Sequence, residues 1–213
     1  MKVAIFQLAL FGVNCYVVYD EKDKKAAVID PGIISDEEVE AIDNFLKKNE
    51  LEVTHILNTH LHIDHAIGNW RMIEKYGVDA YAHEEDSFLG DRLASQAKEF
   101  QLPFDVKDSG VTKYLQDGDE INIGEGCLKV IHVPGHSPGG VVLYDKEDGF
   151  LIAGDSLFEG SIGRTDLPGG DMSTLLNAIK EKLFILPDTT VVFPGHGPST
   201  TIGDEKKFNP FLR

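Results

Sequence analysis

The apolar positions of this chain change their period several times, and each change predicts a change of element. Val3 to Leu8, Val13 to Tyr19 and Ala26 to Ile29 are short apolar runs, separated by Gly12 and by the charged stretch from Asp20 to Lys25. Runs of this length between turn residues predict three β-strands, the last closed by Asp30-Pro31-Gly32. The period then lengthens. Val39, Ile42, Phe45 and Leu46 recur at helical spacing, and Ser35 with Glu38 forms a capping box in front of them. Val53 to Leu57 predicts a buried strand. Ile67, Trp70, Ile73 and Tyr76 give the next helix an apolar stripe, stopped by Gly77. Val78 to Ala82 predicts another short strand. Residues 84–110 are the least regular stretch, with a helical opening near Glu84 to Leu89 and polar sequence after it. Long segments of this kind often serve as lids or binding loops.

The second half repeats the logic. Ile121-Ile123, Leu128-Val133, Val141-Tyr144 and Phe150-Ala153 predict strands with glycine-rich connections. Leu175, Leu176, Ile179 and Leu183 stripe a helix that Pro187 ends. Val191-Phe193 predicts a last strand, and Phe208 to Leu212 a closing segment. Strands in runs, interleaved with helices and without a linker, predict a layered α/β or α+β fold occupying residues 1–213 as one domain.

Charge narrows the partners. With 20 Lys and Arg against 36 Asp and Glu, the formal net charge is −16. Such a chain repels polyanions, which argues against nucleic-acid and anionic-membrane partners. Cys15 and Cys127 belong to no C-x-x-C motif and read as small hydrophobes of a reducing compartment. Gln7 interrupts the apolar N-terminus, and no run reaches the ~18 apolar residues of a membrane span. The expectation is a cytoplasmic protein acting on a small molecule, its oligomeric state left open.

The chemistry concentrates after the Val53-Leu57 strand, where His60, His62, Asp64 and His65 fall within six residues. A turn cannot aim all four the same way, so the run can serve two ions. His136 in Pro-Gly-His-Ser-Pro-Gly, Asp155 in Ala-Gly-Asp-Ser and His196 in Pro-Gly-His-Gly-Pro follow later strands in the same manner. Imidazole and carboxylate donors suit zinc, iron or manganese, and the lack of a cysteine cluster argues against a closed structural zinc site. Placement after strands predicts one shared edge. Two ions there would sit about 3.5–4 Å apart, with Asp155 the natural bridge.

These residues carry a resemblance. Thr59 to His65 reads T-H-x-H-x-D-H, and Asp30, His136, Asp155 and His196 complete an ordered set, so the chain resembles the metallo-β-lactamase superfamily along nearly its whole length. The resemblance implies a four-layer αβ/βα sandwich and two divalent metal ions, zinc first, with iron or manganese as alternatives. It implies His60, His62 and His136 as ligands of one ion and Asp64, His65 and His196 of the other, with Asp155 between them. Asp64 would also orient the attacking water. Asp30, Thr59 and Ser137 would stand behind the ligands and orient them.

Within the superfamily, Gly154 to Phe158 and Gly160 to Asp171 resemble the short glyoxalase II-like hydrolases, acting on hydroxyacylglutathione thioesters. The C-terminal helical region that holds glutathione in full-length members has no counterpart here. A small acyl thioester is therefore implied, attacked by a metal-held hydroxide. A thiolate leaving group of pKa ~8.5 departs without a strong acid. The alternative is a persulfide dioxygenase on the same fold, with a single iron held by two His and one Asp. Asp64, His65 and His196 favour the hydrolase, because a second site is chemically complete. A non-catalytic use of the fold would predict lost ligands. The want of an export signal argues against a secreted β-lactamase, and the short acidic chain against a nuclease.

Other residues read more plainly. His55, His83 and His132 fall outside the motifs and read as structural, and nothing near Cys127 would activate its thiol. Arg164 either pairs with Asp166 or reads a substrate carboxylate. On a chain of this charge an anionic thiol carrier needs such a local cation.

Overall fold

The computed structural model describes residues 1–103 and 106–213. Lys2–Gln7 (β1), Asn14–Asp20 (β2), Lys25–Ile29 (β3), Glu52–Leu57 (β4), Ala80–His83 (β5) and Val111–Leu115 (β6) form a six-stranded sheet in that order. The first three pair antiparallel, and β3 to β6 pair parallel. Glu120–Ile123 (β7), Gly126–His132 (β8), Val141–Asp145 (β9) and Phe150–Gly154 (β10) begin the second half. A small hairpin of Leu157–Phe158 (β11) and Ser161–Ile162 (β12) follows, then Val191–Pro194 (β13) and Thr200–Thr201 (β14). The second sheet has the order β14-β13-β10-β9-β8-β7 and is antiparallel except where β10 meets β13.

Strand alternation explains the layers. On β2, Tyr16 and Val18 point between the sheets, where they join Leu128, Val130, Leu143 and Ile152 of the second sheet. Cys15 and Val17 point the other way, towards Ile42 and Leu46 of helix Asp36–Lys48 (α1). The remaining helices are Ile63–Ala66 (α2), Asn69–Tyr76 (α3), Ser87–Gly90 (α4), Leu93–Glu99 (α5), Met172–Ala178 (α6) and Ile202–Phe208 (α7). Met72 of α3 packs with α1 on the first sheet, while Leu175 of α6 and Ile202 of α7 cover the second. The result is helix, sheet, sheet, helix, the four layers expected.

The capping box of α1 has both halves, the Glu38 amide donating to Ser35 Oγ and the Ser35 amide to the Glu38 carboxylate. Glu38 also accepts from Ala9 N at 2.8 Å, which ties the helix to the β1–β2 turn.

Several expectations need correction. The helix predicted along Ile67 to Tyr76 is α3, which Gly77 ends as expected, but its stripe is placed differently and the short α2, not predicted, precedes it. The deepest side chains of this stretch include Ile67 and Met72, whereas Trp70 is only half-buried. The Trp70 ring lies 4.8 Å from the Arg71 guanidinium and 4.5 Å from Lys107 Nζ, so cations hold it at the surface. Residues 84–110 carry more structure than expected: a 3-10 turn at Glu84–Asp86, then α4 and α5. Residues 104 and 105 of that stretch lie outside the described residues. The helix predicted to run to Pro187 is α6 followed by a π-helical turn, Ile179–Leu183. The chain also forms β6, β14 and α7, which the apolar pattern did not predict. Among the described residues no helix is long and apolar enough to cross a membrane.

Candidate metal centre

The sequence-predicted donors meet where strands end. The loop after β4 carries His60 and His62 and runs into α2 with Asp64 and His65, the loop after β8 carries His136, Asp155 follows β10, and His196 follows β13. Close approach of these loops demands missing side chains. A Cβ on Gly195 would run into Asp155 Oδ1. Gly154 has φ +50°, and a Cβ there would strike Thr59 Oγ1.

Two donor clusters result. His60, His62 and His136 form one, and Asp64, His65 and His196 the other. In the first, His136 Nε2 lies 2.9 Å from His62 Nδ1 and 3.3 Å from His60 Nε2. In the second, Asp64 Oδ2 lies 3.2 Å from His196 Nε2 and 3.7 Å from His65 Nε2. Asp155 reaches both, with Oδ1 3.4 Å from His65 Nε2 and Oδ2 3.6 Å from His136 Nε2.

Hydrogen bonds fix which nitrogens are free. His136 Nδ1 lies 2.7 Å from the Arg164 carbonyl, which can only accept, so Nδ1 carries the proton and Nε2 a lone pair. Thr59 Oγ1 donates to Asp30 Oδ2 at 2.6 Å and therefore accepts from His60 Nδ1 at 3.1 Å. His60 Nε2 is again the lone-pair atom. His65 Nδ1 donates to Asp30 Oδ2 at 3.0 Å, and Asp30 Oδ1 accepts from Thr59 N at 2.8 Å. Asp30 is wholly buried and stands at φ 52°, a left-handed conformation that Asp tolerates better than most residues.

The donors fit metal ions. Lone pairs facing one another at 2.9–3.3 Å repel unless a cation or proton lies between them. Nitrogens around a tetrahedral zinc at ~2.0–2.1 Å stand about 3.3 Å apart. His65 Nε2 and Asp155 Oδ1 are buried without a hydrogen-bond partner, as is His62 Nε2. A buried polar atom without a partner is costly, and an ion would satisfy the first two.

The clusters differ in charge. Burial, and then its histidine neighbours, push His60 down, and burial with His136 pushes His62 down to about 4. Burial also opposes the charged forms of His65 and Asp64, but each outweighs it for the other: Asp64 and Asp155 hold His65 up, and His65 with His196 holds Asp64 down. His196 is raised against burial by its bond to Asp64, and Asp155 is lowered against burial by His65.

Residues that sequence reasoning missed hold the loops. Asp86 is wholly buried and accepts from Leu61 N at 3.1 Å, Ser137 Oγ at 2.8 Å and Gly139 N at 2.6 Å. It thereby joins the His60 loop to the His136 loop. Ser137, expected to orient ligands, donates its hydroxyl to this carboxylate and touches no donor side chain through it. Asn14 Nδ2 donates to the carbonyls of Pro194 and Gly197, on either side of His196. Asn58 Nδ2 donates to the His65 carbonyl at 3.1 Å. None stands in a motif, and Asp86 gave no local signal, because it follows Glu84 and Glu85 in an acidic run.

Other candidates lie outside the two clusters. The Arg164 guanidinium is held on Asp166 by two bonds of 2.8 Å, both side chains largely exposed. His55 packs on Tyr81. His83 and His132 stack with centroids 4.2 Å apart and planes 6° from parallel, with Glu85 nearby. His132 Nε2 donates to the Pro138 carbonyl, and parallel rings do not aim their lone pairs at one point. Cys15 and Cys127 are free thiols, and burial raises both.

Four layers with His and Asp donors gathered at one sheet edge are the build of a metallohydrolase. The chain belongs to the metallo-β-lactamase superfamily, whose model matches residues 8–196. It is similar to hydroxyacylglutathione hydrolase GloC of Haemophilus influenzae, 36% identical over 213 residues, which span 100% of this chain and 98% of that protein. Among solved structures it is similar to BLEG-1 B3 metallo-β-lactamase, at 36% identity and TM-score 0.87 over 99% of each chain. It is also similar to TTHA1623 in a di-iron-bound form, at 34% identity and TM-score 0.86 over 99% of this chain and 100% of that one. ETHE1 from Myxococcus xanthus is more distant, at 25% identity and TM-score 0.81, over 99% of this chain and 84% of that one.

Proposed function

We propose that the protein hydrolyses small acyl thioesters with two divalent metal ions held at this edge. The observation that carries the reading is the second donor cluster, complete in Asp64, His65 and His196, with Asp155 in reach of both clusters. His60, His62 and His136 would hold one ion, Asp64, His65 and His196 the other, and Asp155 both. The similarity to GloC supports a thioester of the hydroxyacylglutathione kind as substrate. Zinc suits these donors, as do iron and manganese; the di-iron form of TTHA1623 supports iron.

Ions so placed polarise a carbonyl and activate water. The chain supplies the rest. Asp30, Thr59 and the Arg164 carbonyl keep the ligand imidazoles in the tautomers that present Nε2. Asp64, which would also hold the second ion, lines the cleft with a carboxylate that can orient the attacking water. The departing thiolate needs no acid from the protein.

Similarity to ETHE1 supports the second reading, a persulfide dioxygenase with one iron. One experiment separates them. The protein is purified without added zinc, its metals are counted, and it is offered acyl thioesters, S-lactoylglutathione first, alongside a persulfide and a β-lactam. The expected result is thioester hydrolysis that a chelator abolishes and added zinc, iron or manganese restores. Inert thioesters with persulfide-driven oxygen uptake would replace the hydrolase by the dioxygenase.

A further inference from the structure

The metal clusters open into a cavity of about 400 Å³ whose outer wall is made by none of the donors. Phe11 lines it on the His196 side, where the neighbouring Val13 pairs with His196. Phe88, Arg92 and Phe100 line it from the α4–α5 region. The three phenylalanines are 66%, 41% and 57% exposed, respectively. Phe11 is also strained, with φ 53° followed by Gly12 at φ 68°. A bulky residue in the left-handed region is a true outlier, and here no burial offsets it. An exposed, strained aromatic ring beside a reactive centre is explained by what it contacts when the cleft is filled.

Charge at the mouth is as uneven. The chain has four arginines, Arg71, Arg92, Arg164 and Arg213, and two of them line this cavity. Arg164 is spent on Asp166. Among the described residues the one carboxylate paired with Arg92 is Glu99, at 3.9 Å, beyond hydrogen-bond distance. Gln96 lines the same cavity with its Oε1 buried and, among the described residues, without a partner, so it can accept from a ligand N–H beside the cation.

Resting on the thioesterase reading, we propose that the mouth selects thioesters joining an apolar acyl group to an anionic, amide-bearing thiol. Phe11, Phe88 and Phe100 take the acyl group, and Arg92 takes the anion. This assigns the reading of substrate charge to Arg92, and leaves Arg164 to position His136 through its carbonyl.

The test uses unreactive thioethers, so binding is read apart from turnover. N-acetyl-S-benzylcysteine, its C-terminal amide and N-acetyl-S-methylcysteine are titrated into metal-loaded wild type, Arg92→Ala, Arg164→Ala and Phe11→Gly by calorimetry. Wild type binds the benzyl acid tightest. Arg92→Ala weakens the benzyl acid roughly 5-fold, as expected for a charge pair at a cavity rim, and leaves the amide unchanged. The Arg92 contribution shrinks in high salt. Phe11→Gly weakens the benzyl acid about 10-fold, brings it level with the methyl compound, and leaves the melting temperature unchanged or higher because the strain is relieved. The proposal is overturned if Arg92→Ala weakens acid and amide alike, if Arg164→Ala alone discriminates them, or if the carboxylate binds the metals so that Arg92→Ala has no effect. A lower melting temperature in Phe11→Gly with unchanged binding overturns the Phe11 role. Hydrolysis of N-acetyl-S-phenylacetylcysteine is measured in parallel. The expected binding pattern without hydrolysis would overturn the thioester reading alone, whereas hydrolysis without the pattern would overturn the mouth proposal alone.

Discussion

Asp86 is the residue on which the metal loops should depend most while touching no proposed ligand side chain. Its carboxylate, fully buried, accepts three hydrogen bonds from Leu61 N, Ser137 Oγ and Gly139 N. Burial pushes its carboxyl up, and the three donors work against that. Asp86→Asn turns one acceptor oxygen into an NH2 group that faces a backbone N–H. One buried donor is then unpaired, at a cost of ~1–3 kcal/mol. Asp86→Ala strands all three donors. Relief of the buried charge and rotation of the Ser137 hydroxyl offset part of that loss, leaving a cost of about 3–5 kcal/mol. The metal consequence is selective. Leu61 lies between His60 and His62, and Ser137 follows His136, so all three residues of the first cluster shift. Of the second cluster, Asp64 and His65 continue the same segment but are held within α2, and His196, like Asp155, sits on a loop that Asp86 does not touch, so the second cluster should lose less. Loss of such a supporting contact weakens metal binding by ~10- to 100-fold. Urea denaturation of the metal-free protein reads the first effect, and chelator competition followed by metal counting reads the second. Unchanged stability in Asp86→Asn would refute the hydrogen-bond argument. Equal loss at both clusters would refute the selective coupling of Asp86 to the first.

Asp155→Asn should weaken both metals, because its carboxylate stands 3.4 Å from His65 Nε2 and 3.6 Å from His136 Nε2; full occupancy of both sites in that variant would exclude a bridge. The two clusters should also differ in proton release. His62 is pushed down to about 4, so at neutral pH it is already unprotonated and takes a cation without losing a proton. His65 and His196 are raised against burial by the carboxylates of Asp64 and Asp155, so a cation competes with protons more there than at His62. Binding at the second cluster should therefore weaken more steeply as pH falls, and calorimetry in buffers of different ionisation heat should find its proton release; no release at either cluster, or equal release at both, would refute the assignment.

How much of this was readable without coordinates depends on the reach of each contact. The seven donors each follow a strand end in a short motif, and one sheet edge gathers strand ends whatever the loops between them do. The α1 capping box was readable because Ser35 and Glu38 are three residues apart. Asp86 was not, because its partners lie 25, 51 and 53 residues away. Strand β6 was hidden by its composition: Thr112, Lys113 and Tyr114 are exposed, as an edge strand allows. Helix α7 did carry a local sign in Thr201, whose side chain accepts from Asp204 N. With few apolar side chains to bury, it left almost no periodicity to read.

Net charge shows where a global property misleads about a local one. A chain of charge −16 should repel an anionic thiol carrier. Yet charges beyond ~8 Å are largely screened at physiological ionic strength, so the groups around the cleft decide. Two divalent ions would bring four positive charges against the carboxylates Asp64 and Asp155, with Asp30 behind them. Arg92 adds another at the rim, while Arg164 is neutralised by Asp166. The mouth is thus positive only when the ions are bound. Anionic ligands should lose affinity on chelation far more than neutral ones of the same shape, and surface acidity elsewhere on the chain should not change that order.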